Sequence, residues 1–137
     1  RNAALNGFTN VDFVVANAFD YLRESVRAGK QWDVVIIDPP AFAKSAHAVP
    51  KALRGYKDIN LNGLKLVKDG GFFVTSSCSY HVRPHMFQEM VADAAFDAKK
   101  VLRQVYWSGA GYDHPKLLAA DEGDYLKFAI YEVHSRR

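Results

Sequence analysis

The chain has 137 residues, of which 49% are hydrophobic and 24% are charged, and its formal net charge is +3. This length suits one domain with its own core, and the composition is that of a globular protein rather than a disordered one. The apolar runs are too short to cross a bilayer, and the start shows no secretion signal. The single cysteine cannot form an intramolecular disulfide. We therefore expect a cytoplasmic protein, with a weak preference for polyanionic partners.

The first third of the chain predicts two strands around one helix. A helix tail ends at Gly7, and residues 12–16 form a β-branched and aromatic run typical of a strand. Residues 17–28 carry apolar side chains at helical spacing, and Gly29 is a plausible C-terminal cap. Residues 32–37 are apolar almost throughout, which predicts a strand of a parallel sheet buried on both faces.

The remainder continues the alternation of strands and helices. A helix runs to about Val67 and stops near the glycine pair at 70–71, after which residues 72–76 predict a strand. Pro84 suits the first turn of another helix. Two closing strands are then predicted, at residues 101–107 and 125–133.

This order predicts an α/β doubly wound sheet. Ligands of such sheets bind beyond the carboxyl ends of the strands. Asn17, Asp38 and Cys78 each follow a predicted strand. We therefore expect these three polar groups to converge on one edge.

The turn Asp-Pro-Pro-Ala-Phe at positions 38–42 is a candidate site for a nitrogenous ring. Its prolines make the turn rigid and leave carbonyl groups free to accept hydrogen bonds. Phe42 can stack on a base, and Asp38 can accept from an amino group. The alternative is a strand-ending turn with a buried aromatic side chain.

Cys78 is the candidate nucleophile. A thiolate can add to C6 of a pyrimidine and make C5 reactive towards a methyl donor. Its setting has to favour the thiolate, and His81, Arg83 or the helix start near Pro84 are candidates for that role. The alternative is a buried, inert cysteine.

Methylation at C5 ends with removal of the C5 proton, and Glu122, just before the last strand, is a candidate base. A solvated acidic turn is an equally good interpretation of that segment. We expect no metal site, because the five histidines are scattered and the lone cysteine has no partner at ligand spacing.

Taken together, the motifs resemble a known family. They are the catalytic-domain motifs of class I S-adenosylmethionine-dependent large-subunit ribosomal RNA methyltransferases of the I type, PUA-domain enzymes that make 5-methylcytosine in 23S rRNA. The matching segments are residues 2–7, 17–22, 32–42, 53–60, 70–79, 113–115 and 125–127.

The resemblance implies roles by position, with S-adenosylmethionine as cofactor and 23S rRNA as partner. The implied catalytic residues are Cys78, as nucleophile, and Asp38, as the acid near the methyl donor and the base, while Glu122 stays a candidate base from its position alone. The implied cofactor-binding residues are Asn17, Ala18, Phe19, Asp38 and Pro39, although many relatives have Asp at position 17. The resemblance implies RNA or active-site contacts for Arg54, Tyr56 and Lys57. The turn and the basic cluster after it add Pro40, Phe42 and Lys44 as substrate-binding candidates.

The resemblance also implies a partial catalytic domain over residues 1–137. The family's PUA domain, its first strand with the glycine-rich cofactor loop and its second strand have no counterpart in this sequence. We therefore expect a partial Rossmann-like sheet, weak cofactor binding and a possible homodimer through the exposed sheet edge. Two other functions stay open, namely methylation of an exocyclic amine and a non-catalytic RNA-binding module.

Overall fold

The computed structural model describes residues 1–136, which form one four-stranded sheet with helices packed against it. The strands are β1 (Trp32–Ile37), β2 (Val67–Ser77), β3 (Lys100–Ser108) and β4 (Lys127–Ser135). The helices are α1 (Asn2–Leu5), α2 (Ala18–Arg27), α3 (Val49–Lys65) and α4 (Pro84–Asp97), with short 3₁₀ turns at Ala46–Ala48 and Asp121–Gly123. The strand order is β1-β2-β4-β3. β1 and β2 are parallel, and β4 runs antiparallel to both of its neighbours.

Local signals set the ends of the helices. The Asn17 side chain accepts hydrogen bonds from the backbone N–H groups of Phe19 and Asp20, at 3.0 and 3.3 Å, so it caps the first turn of α2. Gly29 follows that helix with φ of +65°, a conformation that glycine adopts without strain. Proline stands in the first turn of both α3 and α4, where no backbone N–H is needed.

The core lies between the sheet and the helices. α2 packs on α3, and α3 packs on α4 and on the first two strands. Tyr56, Phe73 and Phe87 are fully buried in this layer. Burial of one such side chain stabilises a fold by roughly 1.5–3 kcal/mol. Inside the same layer, Thr75 donates a 2.5 Å hydrogen bond to Asn60, which satisfies two buried polar groups.

Two expectations about the strands are wrong. Residues 12–16 form no strand, and Phe13 and Val15 are exposed. β1 is not buried on both faces, because Val35 and Ile37 point into the core whereas Val34 and Ile36 are exposed. Within residues 1–136, β1 is an edge strand, so residues 12–16 pair with no strand beside it. Helices α2, α3 and α4 cover a single face of the sheet, which leaves the other face of β1 exposed. A doubly wound sheet carries helices on both faces, whereas the sheet of residues 1–136 carries them on one face only.

β2 is longer than expected, since it begins at Val67 and includes Gly70 and Gly71. The pairing of β1 with β2 is irregular here, because Trp32 pairs with Val67 but Val34 pairs with Phe72. A Cβ atom at position 71 would lie 2.6 Å from the Asp33 carbonyl oxygen. The glycine pair therefore allows a bulge and a close backbone approach instead of ending an element.

Candidate functional site

The parallel pairing of β1 and β2 brings the two main motifs to one edge of the sheet. Ile37 pairs with Thr75, so Asp38 and the residues after Thr75 leave the sheet at the same end. Ser76 donates a 2.6 Å hydrogen bond to the Asp38 carboxylate. This contact places Asp38 and the end of β2 at one edge of the sheet, which we call the carboxyl rim.

A pocket of about 450 Å³ opens at the rim between α2 and the Asp38–Phe42 turn. All residues expected to hold the cofactor line it, namely Asn17, Ala18, Phe19, Asp38 and Pro39, together with Pro40 and Phe42. Leu22, Ile37 and Ile59 form part of its apolar wall. A pocket with an apolar wall and a few polar groups suits a small organic cofactor.

An aromatic series borders this pocket. The ring centroids of Phe19 and Phe42 lie 6.0 Å apart, and those of Phe42 and Tyr56 lie 4.5 Å apart. Phe42 is partly exposed, so one part of its ring packs on the core and the rest is available to a flat ligand.

Tyr56 has a different position from the one expected of a substrate-binding residue. Its side chain is fully buried, so direct contact with a substrate is excluded in this conformation. Its hydroxyl lies 2.7 Å from the Ser79 hydroxyl, which also accepts a 3.2 Å hydrogen bond from the Ala43 N–H. The Phe42 N–H donates to the Tyr56 hydroxyl at 3.3 Å. Tyr56 and Ser79 thus join the Asp38–Phe42 turn to the turn that carries Cys78.

The basic residues near the turn divide into two groups. Lys44 and Lys51 line a groove of about 460 Å³ on the other side of Phe19 and Phe42. Arg54 and Lys57 line a separate, smaller groove between α3 and α4. Lys57 forms a 2.9 Å ion pair with Asp97, and this hydrogen bond raises the pKa of Lys57. The first group is therefore better placed for a ligand at the rim.

Cys78 is partly exposed, in the turn that follows β2. Beside it lies Lys127, whose side chain is 2% exposed. The Lys127 ammonium donates hydrogen bonds to the carbonyl oxygens of Ser79 and Tyr125, both at 2.6 Å. Burial lowers the pKa of Lys127 to about 8, although the charge of Cys78 opposes that shift. Sequence reasoning gave this lysine no role, and its only signal was its place in the Tyr125–Lys127 motif.

Glu122 and Cys78 are the two expected catalytic residues that do not line the pocket at the rim. Glu122 is exposed in the Asp121–Gly123 turn. Asp124, two residues later, is the acidic residue whose charge acts on Lys127. No group of three or more potential metal ligands occurs within residues 1–136, and no helix there is long and apolar enough to span a membrane.

The comparisons with known proteins agree with this geometry. The chain is 44% identical over 133 residues to a ribosomal RNA large subunit methyltransferase I of Photobacterium profundum, and 40% identical over 135 residues to one of Alteromonas mediterranea. Over this stretch the chain is similar to proteins named as large-subunit ribosomal RNA methyltransferases. These alignments cover 95% and 97% of the chain but 34% of each relative, so the chain spans about a third of their length. No family model matches the chain.

Solved structures of methyltransferases share the fold. A SAM-dependent methyltransferase from Streptococcus mutans matches 91% of the chain and 31% of its own, with a TM-score of 0.73 and 21% identity. NSun6 from Pyrococcus horikoshii, crystallised with SFG, matches 99% of the chain and 37% of its own, with a TM-score of 0.64 and 16% identity. At these identities the likeness establishes the fold, which is the partial Rossmann-like sheet expected from the motifs.

Proposed function

We propose that the chain is part of the catalytic domain of an S-adenosylmethionine-dependent methyltransferase that modifies C5 of a cytosine in large-subunit rRNA. The observation that supports this most is the carboxyl rim, where Asp38 lines a cofactor-sized pocket and accepts a hydrogen bond from Ser76, two residues before Cys78. The relatives named as ribosomal RNA large subunit methyltransferases give the substrate class. Its substrate is accordingly RNA.

The cofactor would occupy the pocket at the rim. Asn17, Ala18 and Phe19 at the start of α2 would contact its adenine, and Asp38 with Pro39 would lie near its reacting end. S-adenosylmethionine supplies an electrophilic methyl group there. The chain's own side chains have to hold the base, activate it and move its proton.

The base would lie against the Asp38–Phe42 turn, flipped out of its stack. Phe42 offers a partly exposed ring, and stacking on such a ring contributes roughly 1–3 kcal/mol. Lys44 and Lys51 line the adjoining groove and would contact the RNA phosphates. Because Lys57 is paired with Asp97, we assign Arg54 and Lys57 a weaker contribution.

Methyl transfer to C5 would proceed through a covalent adduct of Cys78 with the base. Its thiolate adds to C6 of cytosine, the electron pair moves to C5, and C5 forms a bond to the methyl group as the donor's carbon–sulfur bond breaks. A base, for which Glu122 stays the candidate, then removes the C5 proton. The C5=C6 double bond re-forms, the Cys78–C6 bond breaks, and the thiolate is released.

The mechanism is tested in a chimaera in which this chain replaces the matching 133 residues of the Photobacterium profundum relative. Methyl transfer to rRNA is measured for the chimaera, for Cys78→Ala and for Ser45→Ala at an exposed serine. We expect Cys78→Ala to abolish methylation and Ser45→Ala to leave it intact. Unchanged turnover of Cys78→Ala would contradict the covalent mechanism.

Mass spectrometry of the digested RNA then identifies the methylated atom. We expect 5-methylcytosine. Methylation of an exocyclic nitrogen would instead favour direct attack by an amino group at the Asp38–Phe42 turn, which needs no cysteine. The measurement therefore separates the two enzyme functions that the turn supports.

Calorimetry of the 137-residue chain with S-adenosylmethionine tests a third possibility, a module that binds RNA without catalysis. We expect weak binding that Asp38→Ala abolishes, because Asp38 lines the pocket at the rim. Absence of any binding to the unsubstituted chain would favour the RNA-binding module. Retention of the same weak binding in Asp38→Ala would contradict the assigned cofactor pocket.

A further inference from the structure

The lysine at the start of β4 is the least expected charged group in the core. Lys127 pairs with Ser77 across the sheet, and this register brings its side chain beneath the turn that carries Cys78. The side chain is 2% exposed. A charged group at such a position is costly unless hydrogen bonds compensate it. Here the compensating acceptors are two backbone carbonyls, those of Ser79 and Tyr125, each at 2.6 Å.

Three segments bring charged or titratable groups to Lys127. Cys78 belongs to the turn after β2, Arg83 caps α4, and Asp124 lies in the loop before β4. Cys78 and Asp124 favour the protonated form of Lys127, and Arg83 opposes it. Asp124 also forms a 2.5 Å ion pair with Lys116, so its charge is shared between two lysines.

Arg83 is directed towards another partner. Its guanidinium lies 4.5 Å from the centre of the Tyr80 ring and donates a 3.1 Å hydrogen bond to the Tyr80 hydroxyl. The positive group that contacts the backbone of the Cys78 turn is therefore the ammonium of Lys127, which binds the carbonyl of the very next residue, Ser79.

We propose that Lys127 is a positioning residue for Cys78, anchoring the turn through the Ser79 carbonyl and stabilising the thiolate by its positive charge. The proposal rests on the function proposed above for Cys78. The ammonium binds the carbonyl of the residue that follows Cys78, so its positive charge lies near the turn of the thiol, and a nearby positive charge favours a thiolate. The thiol proton leaves to solvent, and the ammonium keeps its own proton.

Alkylation by iodoacetamide measures this directly. The thiolate displaces iodide and forms one carbon–sulfur bond, and Cys78 is the only cysteine of the chain, so the signal has one source. The rate is measured from pH 6 to pH 10 on the 137-residue chain. The variants are Lys127→Gln, which can still donate to a carbonyl but carries no charge, and Lys127→Arg, which keeps the charge. The matched control is Lys100→Gln, since Lys100 donates to the Val67 carbonyl at 3.1 Å, far from the rim.

At pH 7 we expect Lys127→Gln to lower the alkylation rate about tenfold, as loss of one nearby opposite charge predicts. Lys127→Arg should restore most of the rate, and Lys100→Gln should leave it unchanged. Above pH 9 the wild type and Lys127→Gln should converge. A purely structural role would not produce this pH dependence. Equal rates at pH 7 for wild type and a Lys127→Gln variant with a native circular dichroism spectrum would overturn the proposal.

If Lys127→Gln does not fold, Asp124→Asn provides the second test at an exposed position. Removing that carboxylate removes a charge that favours protonated Lys127, so Lys127 should lose its proton at a lower pH and the alkylation rate at pH 8 should fall about twofold. An unchanged rate would overturn the proposal.

These outcomes are independent of the proposed reaction. If Cys78→Ala retains methylation in the chimaera, the covalent mechanism is wrong, whereas an alkylation rate that depends on Lys127 still supports the coupling. If Cys78→Ala abolishes methylation and the alkylation rate does not depend on Lys127, the proposed role of Lys127 is wrong and the covalent mechanism is supported.

Discussion

Two short apolar runs, residues 12–16 and strand β1, have similar sequences and different structures. Both are β-branched, and each precedes a polar residue at the rim. β1 pairs with β2 and buries Val35 and Ile37, whereas Phe13 and Val15 are 78% and 104% exposed. β propensity is largely a measure of packing against neighbours, and the first run has no neighbouring strand within residues 1–136. The comparison shows that the partner, and not the run itself, decides which one is a strand.

The largest effect should come from the strand interior next to β1. Phe73 pairs with Val35, is fully buried, and contacts α3 near Gly63. We expect Phe73→Ala to lower the free energy of unfolding by about 3–5 kcal/mol, because it leaves a cavity in the core. Urea unfolding followed by circular dichroism measures this loss. A loss below about 1 kcal/mol would mean that the paired region is no better packed than the unpaired one.

At the rim end of β4, Lys127 should make the free energy of unfolding depend on pH. The exposed residues 12–16 contain no buried titratable group that could do so. Folding lowers the pKa of Lys127 from 10.5 to about 8, so between these values the unfolded chain binds more protons than the folded one. The contribution of Lys127 to the free energy of unfolding therefore rises with pH in this window, by at most about 3 kcal/mol. Urea unfolding is measured for the wild type and for Lys127→Gln at pH 7.5 and at pH 10. The change with pH in the difference between their free energies of unfolding gives the contribution of Lys127. Parallel pH profiles would show that Lys127 titrates normally.

A smaller effect is expected at the contact between the two turns. Tyr56→Phe removes the hydroxyl that lies 2.7 Å from the Ser79 hydroxyl and keeps the ring packed on Phe42. We expect a loss of about 1–2 kcal/mol, the cost of an unsatisfied buried hydrogen-bonding group. Thermal unfolding measures it, and Tyr21→Phe, at a partly exposed tyrosine, serves as the control. An equal loss for both variants would show that the Tyr56 hydroxyl has no special role.

The smallest effect is expected in the unpaired run. Phe13→Ala should change the free energy of unfolding by less than about 0.5 kcal/mol, since the side chain is mostly exposed. Comparison with Phe73→Ala in the same urea series makes the contrast quantitative. A loss above about 1 kcal/mol at Phe13 would indicate that residues 12–16 pack against the domain in solution.

Much of the fold could be predicted from local patterns. Residues 32–37 correspond to β1, Asn17 and Gly29 flank α2, and Pro84 begins α4 as expected. The glycine pair at 70–71 could not be interpreted from the sequence, because a bulge inside a strand and the end of a helix use the same residue type. Likewise, no local pattern distinguishes an edge strand from a buried one when both are rich in valine and isoleucine.

Some features of the candidate site could also be predicted from the sequence, and others could not. Asp38, Phe42 and Cys78 were found because a parallel sheet collects the residues that follow its strands. Burial of Tyr56 beneath the turn could not be predicted, since an exposed and a buried tyrosine look alike in a helix. The place of Lys127 depends on the antiparallel insertion of β4 beside β2, which is a long-range pairing.

By itself, the sequence determined the order of the elements from α2 onward, the ends of three of them and the chemical groups that end the first two sheet strands. These depend on interactions within a few residues, such as caps, proline geometry and hydrophobic periodicity. Only the tertiary structure decided that residues 12–16 stay unpaired, that one face of β1 is exposed and that a buried ammonium binds the turn that carries the thiol. Burial and charge coupling depend on which segments meet across the sheet, and residues that meet at the rim are separated by up to 48 positions in the chain.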